Sequence, residues 1–203
     1  MKSGSQVVRY VGLRNETQQS DTQMQYRRAR AKGGSYFFTV VTDRRRPFLC
    51  EPENIMLLRS LFTEMKERHP FIIDAIVMLP DHLHCLWTLP EEDSNYSKRW
   101  RLIKSAFSRR CGAQYKGTMS KSRQNKKEQA VWQRRFWEHE IRNDKDYKQH
   151  VEYIHYNPVK HGLTAAPSDW PFSSFHRYVA KGLYEQNWGA GEKMTFGDEI
   201  GRE

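Results

Sequence analysis

The chain has 203 residues, enough for one domain with extensions, and its 34 basic residues outnumber its 24 acidic ones. The formal net charge of +10 favours a polyanionic partner, and nucleic acid is the first candidate. The three cysteines have neither the pattern of a disulfide framework nor that of a CxxC zinc site, and no apolar stretch can span a bilayer. These features exclude a disulfide-stabilised secreted module and a membrane-spanning protein, and they predict a cytoplasmic location.

The first 34 residues are polar and predict a partly flexible basic arm that ends in the pair Gly33-Gly34. Residues 36–42 (YFFTVVT) predict a strand, and Pro47 ends or bends the chain after it. The basic side chains of the arm and of the segment after the strand are candidate nucleic-acid contacts: Arg27, Arg28, Arg30, Lys32, Arg44, Arg45 and Arg46.

Two helices are predicted on either side of a hairpin. Residues 53–69 carry apolar side chains at helical spacing, and residues 96–110 repeat this pattern with Lys and Arg on the outer face. Residues 72–89 predict a strand, a turn and a second strand, and Asp81 is assigned to the turn after Pro80. The outward basic side chains of the second helix are further candidate nucleic-acid contacts: Arg101, Lys104, Arg109 and Arg110.

The rest of the chain completes the predicted fold. Residues 112–130 are a lysine-rich segment typical of a functional or disordered loop, residues 131–141 predict a strand, and residues 144–157 predict a helix. The aromatic residues from Trp170 onward favour core packing over base stacking. The order of elements predicts an α+β fold, with a ferredoxin-like antiparallel sheet and helices packed on one face. We expect an arm (1–34), a main domain (35–165) and an aromatic-rich C-terminal extension (166–203).

A pair of histidines lies in the second strand of the predicted hairpin. Because residues two apart in a strand point to the same face, His82 and His84 project together while Leu83 points into the core. Two imidazoles on a rigid strand are a natural beginning for a divalent-metal site.

The helix predicted over residues 144–157 has an apolar face and a polar one. Tyr153 and Asn157 lie four residues apart on the polar face, so they stack one turn over the other. The phenol offers a nucleophile, and the carboxamide oxygen offers the third metal ligand that the histidine pair needs. Pro158 disfavours helical geometry at the residue before it and predicts that the helix ends at Asn157.

Three segments, in this order, resemble one enzyme family. His82-Leu83-His84 is similar to the histidine–hydrophobic–histidine motif of HUH endonucleases. Residues 153–163 (YIHYNPVKHGL) resemble the signature of REP-associated tyrosine transposases, which are relatives of the single-tyrosine transposases of small bacterial insertion sequences. Residues 170–178 (WPFSSFHRY) resemble the tail of the same family, and the resemblance covers roughly residues 34–189.

The resemblance implies an HUH-type catalytic domain over residues 35–165 that acts on single-stranded DNA folded into the palindromic hairpins of REP or BIME elements. His82, His84 and Asn157 would hold Mg²⁺ or Mn²⁺, with Asn157 in place of the glutamine of insertion-sequence relatives. Tyr153 would attack the scissile phosphate and leave a 5′-phosphotyrosine and a free 3′-OH. The implied location is the bacterial cytoplasm, in association with the nucleoid.

The sequence leaves several site assignments open. Tyr156 is a rival nucleophile, and Tyr153 is preferred because it alone has an asparagine four residues later. His150 is a candidate general base, whereas His155 and His161 are assigned structural or DNA-facing roles.

Alternative functions also stay open. A non-catalytic DNA-hairpin-binding protein of the same fold is the main alternative, and metal-dependent cleavage would separate it from the enzyme. An RNA-binding ferredoxin-like module is a weaker third hypothesis, which should tolerate loss of the histidine pair. A monomer and a homodimer are both compatible with the sequence.

Overall fold

The structure, a computed structural model, describes residues 33–197 and 200–201, so the arm residues Arg27, Arg28, Arg30 and Lys32 lie outside the described residues. Four strands form one sheet: β1 (Ser35–Val41), β2 (Ile72–Met78), β3 (His82–Thr88) and β4 (Trp137–Glu140). The α-helices are α1 (Pro52–Arg68), α2 (Tyr96–Arg110), α3 (Lys121–Asn125), α4 (Asp144–Lys160) and α5 (Phe175–Ala180). Short 3₁₀ helices span Asp43–Arg45, Ala113–Tyr115 and Pro167–Asp169. Within the described ranges, every helix is too short or too polar to cross a lipid bilayer.

The strands lie in the spatial order β2-β3-β1-β4, and all neighbouring pairs are antiparallel. With the chain order β1-α1-β2-β3-α2-β4, this arrangement is a ferredoxin-like sheet, so the predicted α+β class and antiparallel sheet are confirmed. β3 lies inside the sheet, where His84 is opposite Thr39 of β1 and Val77 of β2. His84 is therefore held between two hydrogen-bonded neighbouring strands.

The helices lie on both faces of the sheet, and not on one face as predicted. α1 and α2 cover the face of Leu83 and Trp87, where Trp87 stacks on Trp100 of α2 with ring centroids 4.4 Å apart. α4 packs against the opposite face through Val151 and Ile154. Every residue of β3 is buried, so both faces of this strand need cover, which a single helical layer cannot supply.

Helix α4 continues past its predicted end. Pro158 lacks a backbone N–H and so costs the helix one hydrogen bond, yet α4 reaches Lys160, and His161 N–H donates to the carbonyl of Asn157 at 3.0 Å. The prediction that the helix ends at Asn157 is therefore wrong, because the buried face of α4 holds the turn together. Asn157 keeps helical geometry one turn after Tyr153.

The polar segment before β4 is ordered. The predicted strand over residues 131–141 shortens to β4, and residues 112–130 contain α3. Arg123 pairs with Asp43 at 2.7 Å, and Arg46 donates to the backbone oxygens of Tyr115 and Ala130. These bonds tie the segment to the end of β1.

The C-terminal extension packs beside α4 and along the outer edge of β2. Met78 N–H donates to the carbonyl of Phe172, and Ser174 N–H donates to the carbonyl of Ile76, each at 2.8 Å. The extension thereby covers part of an otherwise open sheet edge. Its aromatic side chains join the α4 side of the core, as predicted: Phe175, Tyr178 and Tyr184.

Candidate metal and tyrosine site

β3 presents two buried imidazoles on the face that α4 covers. The ring centroids of His82 and His84 lie 4.9 Å apart. Both side chains are buried, and Leu83 between them belongs to the core on the opposite face. The two-residue alternation of a strand, which can be read from the sequence, accounts for this pairing.

One nitrogen of each imidazole is engaged by a neighbouring side chain. His82 Nδ1 donates to the carboxylate of Asp81 at 2.6 Å, and His84 Nδ1 forms a hydrogen bond with the hydroxyl of Thr39 at 3.0 Å. A carboxylate that accepts from Nδ1 fixes the tautomer with its lone pair on Nε2. In many metal-binding histidines the same hydrogen bond at Nδ1 orients Nε2 as the ligand atom.

Asp81 has a role at the site that the sequence analysis missed, because it assigned this residue to the turn. Burial raises the pKa of Asp81, but the hydrogen bonds and charges of His82 and Arg45 outweigh burial and hold this pKa below its usual value. Asp81 is therefore an anion that orients His82. The position of Asp81 directly before the histidine motif was the sequence signal that could have indicated this role.

α4 brings Tyr153 against the histidine pair. The ring centroids of Tyr153 and His84 are 5.2 Å apart in an edge-to-face arrangement. The side chain of Tyr153 is 1% exposed and belongs to the core cluster beneath α4. The helix face that the sequence analysis called polar is thus turned towards the sheet, and the two distant sequence segments meet there.

Lys160 is a further residue at the phenol that sequence reasoning missed. Its ammonium Nζ donates to the phenol oxygen of Tyr153 at 2.9 Å and lies 4.8 Å from the ring centroid. The spacing of seven residues, which places two side chains on one helical face, was the available signal. An ammonium in this position stabilises negative charge on the phenol oxygen.

Asn157 is fully buried one turn after Tyr153, and neither Oδ1 nor Nδ2 has a hydrogen-bond partner among the described residues. Burying an unpaired amide is costly, so a native structure that retains one usually completes it with a ligand or water. Two imidazoles and a carboxamide oxygen are a donor set that accepts a divalent cation. The residues present therefore fit the predicted metal site.

Residues near the C-terminus cover the phenol. The Phe196 ring lies 5.3 Å from that of Tyr153, and the phenol hydroxyl donates to the carbonyl of Gly201 at 3.2 Å. Gly201 has a φ of +69°, and a Cβ at this position would overlap the Tyr153 ring. Glycine is thus required for this close approach.

Tyr156, the rival nucleophile, and the two histidines assigned to other roles, His155 and His161, have three different environments. Tyr156 donates from its hydroxyl to the carbonyl of Glu192 at 2.6 Å. His155 is buried, with Nε2 bonded to Ser174 Oγ at 2.7 Å, and burial lowers its pKa to about 3. His161 is exposed, and its ring centroid lies 5.2 Å from that of His82.

His150, the candidate base, belongs to a separate cluster with His139 and Asp146, whose possible ligand atoms lie within 4.8 Å of one another. Burial lowers the pKa of His150, and its Nδ1 is 2.8 Å from the carbonyl oxygen of Asp146. Burial raises the pKa of Asp146, but hydrogen bonds from Arg142 and His139 outweigh it and lower that pKa to about 2. The Arg142 guanidinium already binds this carboxylate at 3.1 Å. We therefore interpret the cluster as a group of hydrogen bonds that connects β4 to α4.

The predicted DNA contacts divide into two groups. Some have partners within the chain: Arg45 with Asp81, Arg46 with backbone oxygens, Lys104 with the carbonyls of residues 133 and 134, and Arg110 with Glu64. Arg44, Arg101 and Arg109 are exposed and pair with no carboxylate among the described residues, although Arg109 donates to Ser105 Oγ at 2.6 Å. Arg44, Arg101 and Arg109 are the better placed to meet a phosphate, because no carboxylate competes for their charge.

Comparisons with known proteins agree on one family. Residues 31–157 match the family described as "Transposase IS200 like". A protein of Escherichia coli K12 described as a REP-associated tyrosine transposase is 48% identical over 172 residues, which cover 85% of this chain and 94% of that protein. A solved structure of a REP-associated tyrosine transposase bound to a REP hairpin has 46% identity and a TM-score of 0.66, and the match covers 88% of this chain and 99% of that one. The chain therefore belongs to the IS200-like transposases, as a member of the REP-associated tyrosine transposase group.

Proposed function

We propose that this transposase cleaves and rejoins single-stranded DNA at REP-type palindromic hairpins, with Tyr153 as the nucleophile. The observation that carries the proposal is the position of the phenol, which lies against His84 and accepts a hydrogen bond from Lys160. The relative solved with a REP hairpin supports the choice of substrate.

Tyr153 supplies the attacking oxygen. The phenol loses its proton to water, and the Lys160 ammonium stabilises the negative charge on the oxygen. This oxygen attacks the scissile phosphorus, a phosphotyrosine ester forms, and the P–O3′ bond breaks. The leaving 3′ oxygen takes up a proton and becomes a 3′-OH. Attack of a 3′-OH on the same phosphorus rejoins the strand and restores the phenol, so the cycle needs no ATP.

His82, His84 and Asn157 are the residues that would hold a divalent cation. When bound, Mg²⁺ or Mn²⁺ supplies Lewis-acid polarisation of the scissile phosphate. Asp81 and Thr39 keep the imidazoles oriented through their Nδ1 atoms. Because Mg²⁺ prefers oxygen donors and imidazole suits the transition metals, this donor set favours Mn²⁺ over Mg²⁺.

A non-catalytic hairpin-binding protein is the second candidate, and one observation favours it. Tyr153 is 1% exposed and bonded to Gly201, so a DNA phosphate reaches the phenol only after the residues above it move. A protein that keeps this cover in place would bind hairpins without cleaving them.

The experiment uses the full chain, Mn²⁺ and a labelled REP hairpin oligonucleotide with single-stranded flanks. We expect wild type to nick the strand and form a covalent adduct that survives denaturing electrophoresis. Tyr153→Phe should abolish both the nick and the adduct. Tyr156→Phe is the matched control and should retain both, because the Tyr156 hydroxyl contacts Glu192 and not the histidines.

The outcomes separate the candidates. Hairpin gel shifts without nicking or adduct, in wild type with Mn²⁺, would establish the binding protein. Nicking by Tyr153→Phe at the wild-type rate would remove Tyr153 as the nucleophile.

A further inference from the structure

The chain makes an uncommon turn after β1, beside the histidine pair. Arg44 and Arg45, within this turn over residues 42–46, have φ values of +57° and +52°. The left-handed region is unfavourable for residues that carry a Cβ, so two of them in succession persist only where surrounding contacts hold the backbone. We call residues 42–46 the β1 turn and ask what its conformation presents to the site.

Arg45 reaches from the β1 turn to the carboxylate that orients His82. Its Nη1 donates to Asp81 Oδ2 at 2.9 Å, while the other oxygen, Oδ1, accepts from His82 Nδ1 at 2.6 Å. Each carboxylate oxygen thus has its own donor, and the two bonds together fix the plane of the carboxylate. The backbone of Asp81 is held as well, because Thr42 N–H donates to its carbonyl at 2.9 Å.

The lysine-rich segment before β4 holds the β1 turn from the other side. The Arg123 guanidinium pairs with Asp43 at 2.7 Å, and both side chains are largely buried. Arg46 donates to the backbone oxygens of Tyr115 and Ala130 at 2.8 and 2.6 Å. These bonds on both flanks of the left-handed pair supply the contacts that its backbone needs.

The two left-handed arginines have different surroundings. Arg44 is exposed and pairs with no carboxylate among the described residues, whereas Arg45 lies on Asp81. The side chain of Arg45 is 40% exposed, and ion pairs with this much solvent contribute little to stability. Orientation of the carboxylate beside His82 accounts for the position of Arg45 better than stabilisation of the fold does.

We propose that Arg45 is a positioning residue for the metal ligand His82, on which it acts through Asp81, and that residues 112–130 hold the β1 turn that presents it. This inference rests on the proposed function for the metal and the reaction. It gives Arg45 a role in place of the DNA contact that the sequence predicts for this residue.

The test measures Mn²⁺ binding to the full chain without DNA, by isothermal titration calorimetry. Arg45→Met keeps the length of the side chain but removes its donors, so it should weaken Mn²⁺ binding about fivefold. Asp81→Asn, which acts on His82 directly, should weaken it about 10- to 100-fold. Arg44→Met is the matched control, since it makes the same change at an exposed arginine of the same turn and backbone conformation, and it should leave binding unchanged.

Two further comparisons show the route of the effect. In the Asp81→Asn background, Arg45→Met should cause no further loss, because the group that Arg45 orients is already altered. In wild type, Arg123→Met should weaken Mn²⁺ binding about two- to threefold by loosening the β1 turn, whereas Lys121→Met, at an exposed lysine of the same segment, should not. Arg45→Lys keeps a cation and should recover part of the affinity. Urea unfolding of each variant separates these changes from loss of the fold.

Several results would overturn this role of Arg45. They are wild-type Mn²⁺ affinity in Arg45→Met, an equal loss in Arg44→Met, and losses that add in the Arg45→Met, Asp81→Asn double variant. Weaker binding of a REP hairpin by Arg45→Met with unaltered Mn²⁺ affinity would return Arg45 to direct DNA contact.

The nicking assay of wild type keeps this test separate from the proposed function. Nicking by wild type, with unaltered Mn²⁺ affinity in Arg45→Met, removes the positioning role alone. The expected order of Mn²⁺ affinities without nicking by wild type removes the nuclease alone. A wild-type chain that binds no Mn²⁺ removes the metal site and the role of Arg45 together.

Discussion

The two faces of the sheet differ in what they bury. On the α1–α2 face, Leu83 and Trp87 meet aromatic and aliphatic side chains, and Trp87 stacks on Trp100. On the α4 face, the same strand buries His82 and His84 beside a tyrosine. One strand thus supplies apolar packing in one direction and ionisable groups in the other.

This difference shows how the fold can tolerate an unsatisfied site. Burying polar groups without partners destabilises a protein, as for the amide of Asn157. The well-packed α1–α2 face offsets that cost, since an aromatic core contributes several kcal/mol per large side chain. We therefore expect substitutions on the α1–α2 face to change stability and substitutions at the histidine–tyrosine site of the α4 face to change activity.

After loss of Tyr153 itself, the largest effect should come from the histidine pair. His84→Ala removes a proposed ligand and should slow nicking about a thousandfold, whereas Asp81→Asn removes only the group that orients His82 and should slow it about 10- to 100-fold. Single-turnover nicking in Mn²⁺ measures both variants. An Asp81→Asn defect as large as that of His84→Ala would contradict the distinction between ligand and orienting residue.

Trp100→Ala should change stability and leave the nicking rate unchanged, the reverse of what is expected for His84→Ala. It removes the stack on Trp87 and should lower the free energy of unfolding by about 3–5 kcal/mol. Well below the unfolding temperature, its nicking rate should match that of wild type. Urea unfolding and the nicking assay, applied to Trp100→Ala and His84→Ala together, test whether the two faces separate stability from chemistry.

Acid should destabilise the α4 face through His155. Its folded-state pKa of about 3 lies below the usual value near 6.5. Between these two pH values, His155 is protonated in the unfolded chain and neutral in the folded chain. Stability is complete above about pH 6.5 and falls as the pH decreases towards 3, by about 2–3 kcal/mol at pH 4.5. In urea unfolding at pH 7 and pH 4.5, His155→Asn should reduce this loss. His176→Asn, at an exposed histidine, should leave the loss unchanged.

The sequence was sufficient where a short repeat decides which way side chains point. The two-residue period of β3 predicts that His82 and His84 share a face, and the four-residue spacing in α4 predicts that Asn157 follows Tyr153 by one turn. The core stripes of α1 and α2 also follow from helical periodicity.

Sequence reasoning failed where tertiary packing decides the outcome. Local preference predicts a helix end before Pro158, but burial of α4 carries the helix to Lys160. Lys160 and Gly201 come to the phenol only because of that extra turn and of the path of the distal chain. The seven-residue spacing points to Lys160 only if the helix continues past Pro158, and no local pattern predicts the Gly201 contact or shows that the sheet needs helices on both faces.

Lys160→Met tests the cation at the phenol. Loss of a charge-assisted hydrogen bond should slow nicking about 10- to 100-fold and make the rate rise more steeply with pH, because the phenolate is no longer stabilised. Lys160→Arg should restore part of the rate. Lys148→Met, elsewhere on α4, is the control, because Lys148 pairs with Glu152 at 3.7 Å. A pH–rate profile identical to that of wild type would leave Lys160 with a packing role only.

The smallest expected effect concerns the cover over Tyr153, and it is an increase in activity. Truncation after residue 195 removes the Phe196 ring and the Gly201 carbonyl from the phenol, so nicking should rise about tenfold. This factor corresponds to a free energy of about 1.4 kcal/mol for moving the distal residues off the phenol. Gly201→Ala should raise the rate without shortening the chain, since a Cβ there overlaps the tyrosine. Gly191→Ala is matched to it, because Gly191 also has positive φ, +72°, but faces open space. If Gly201→Ala and Gly191→Ala nick at the same rate, the distal residues do not cover the phenol in solution, and the α4 face is open to DNA as it stands.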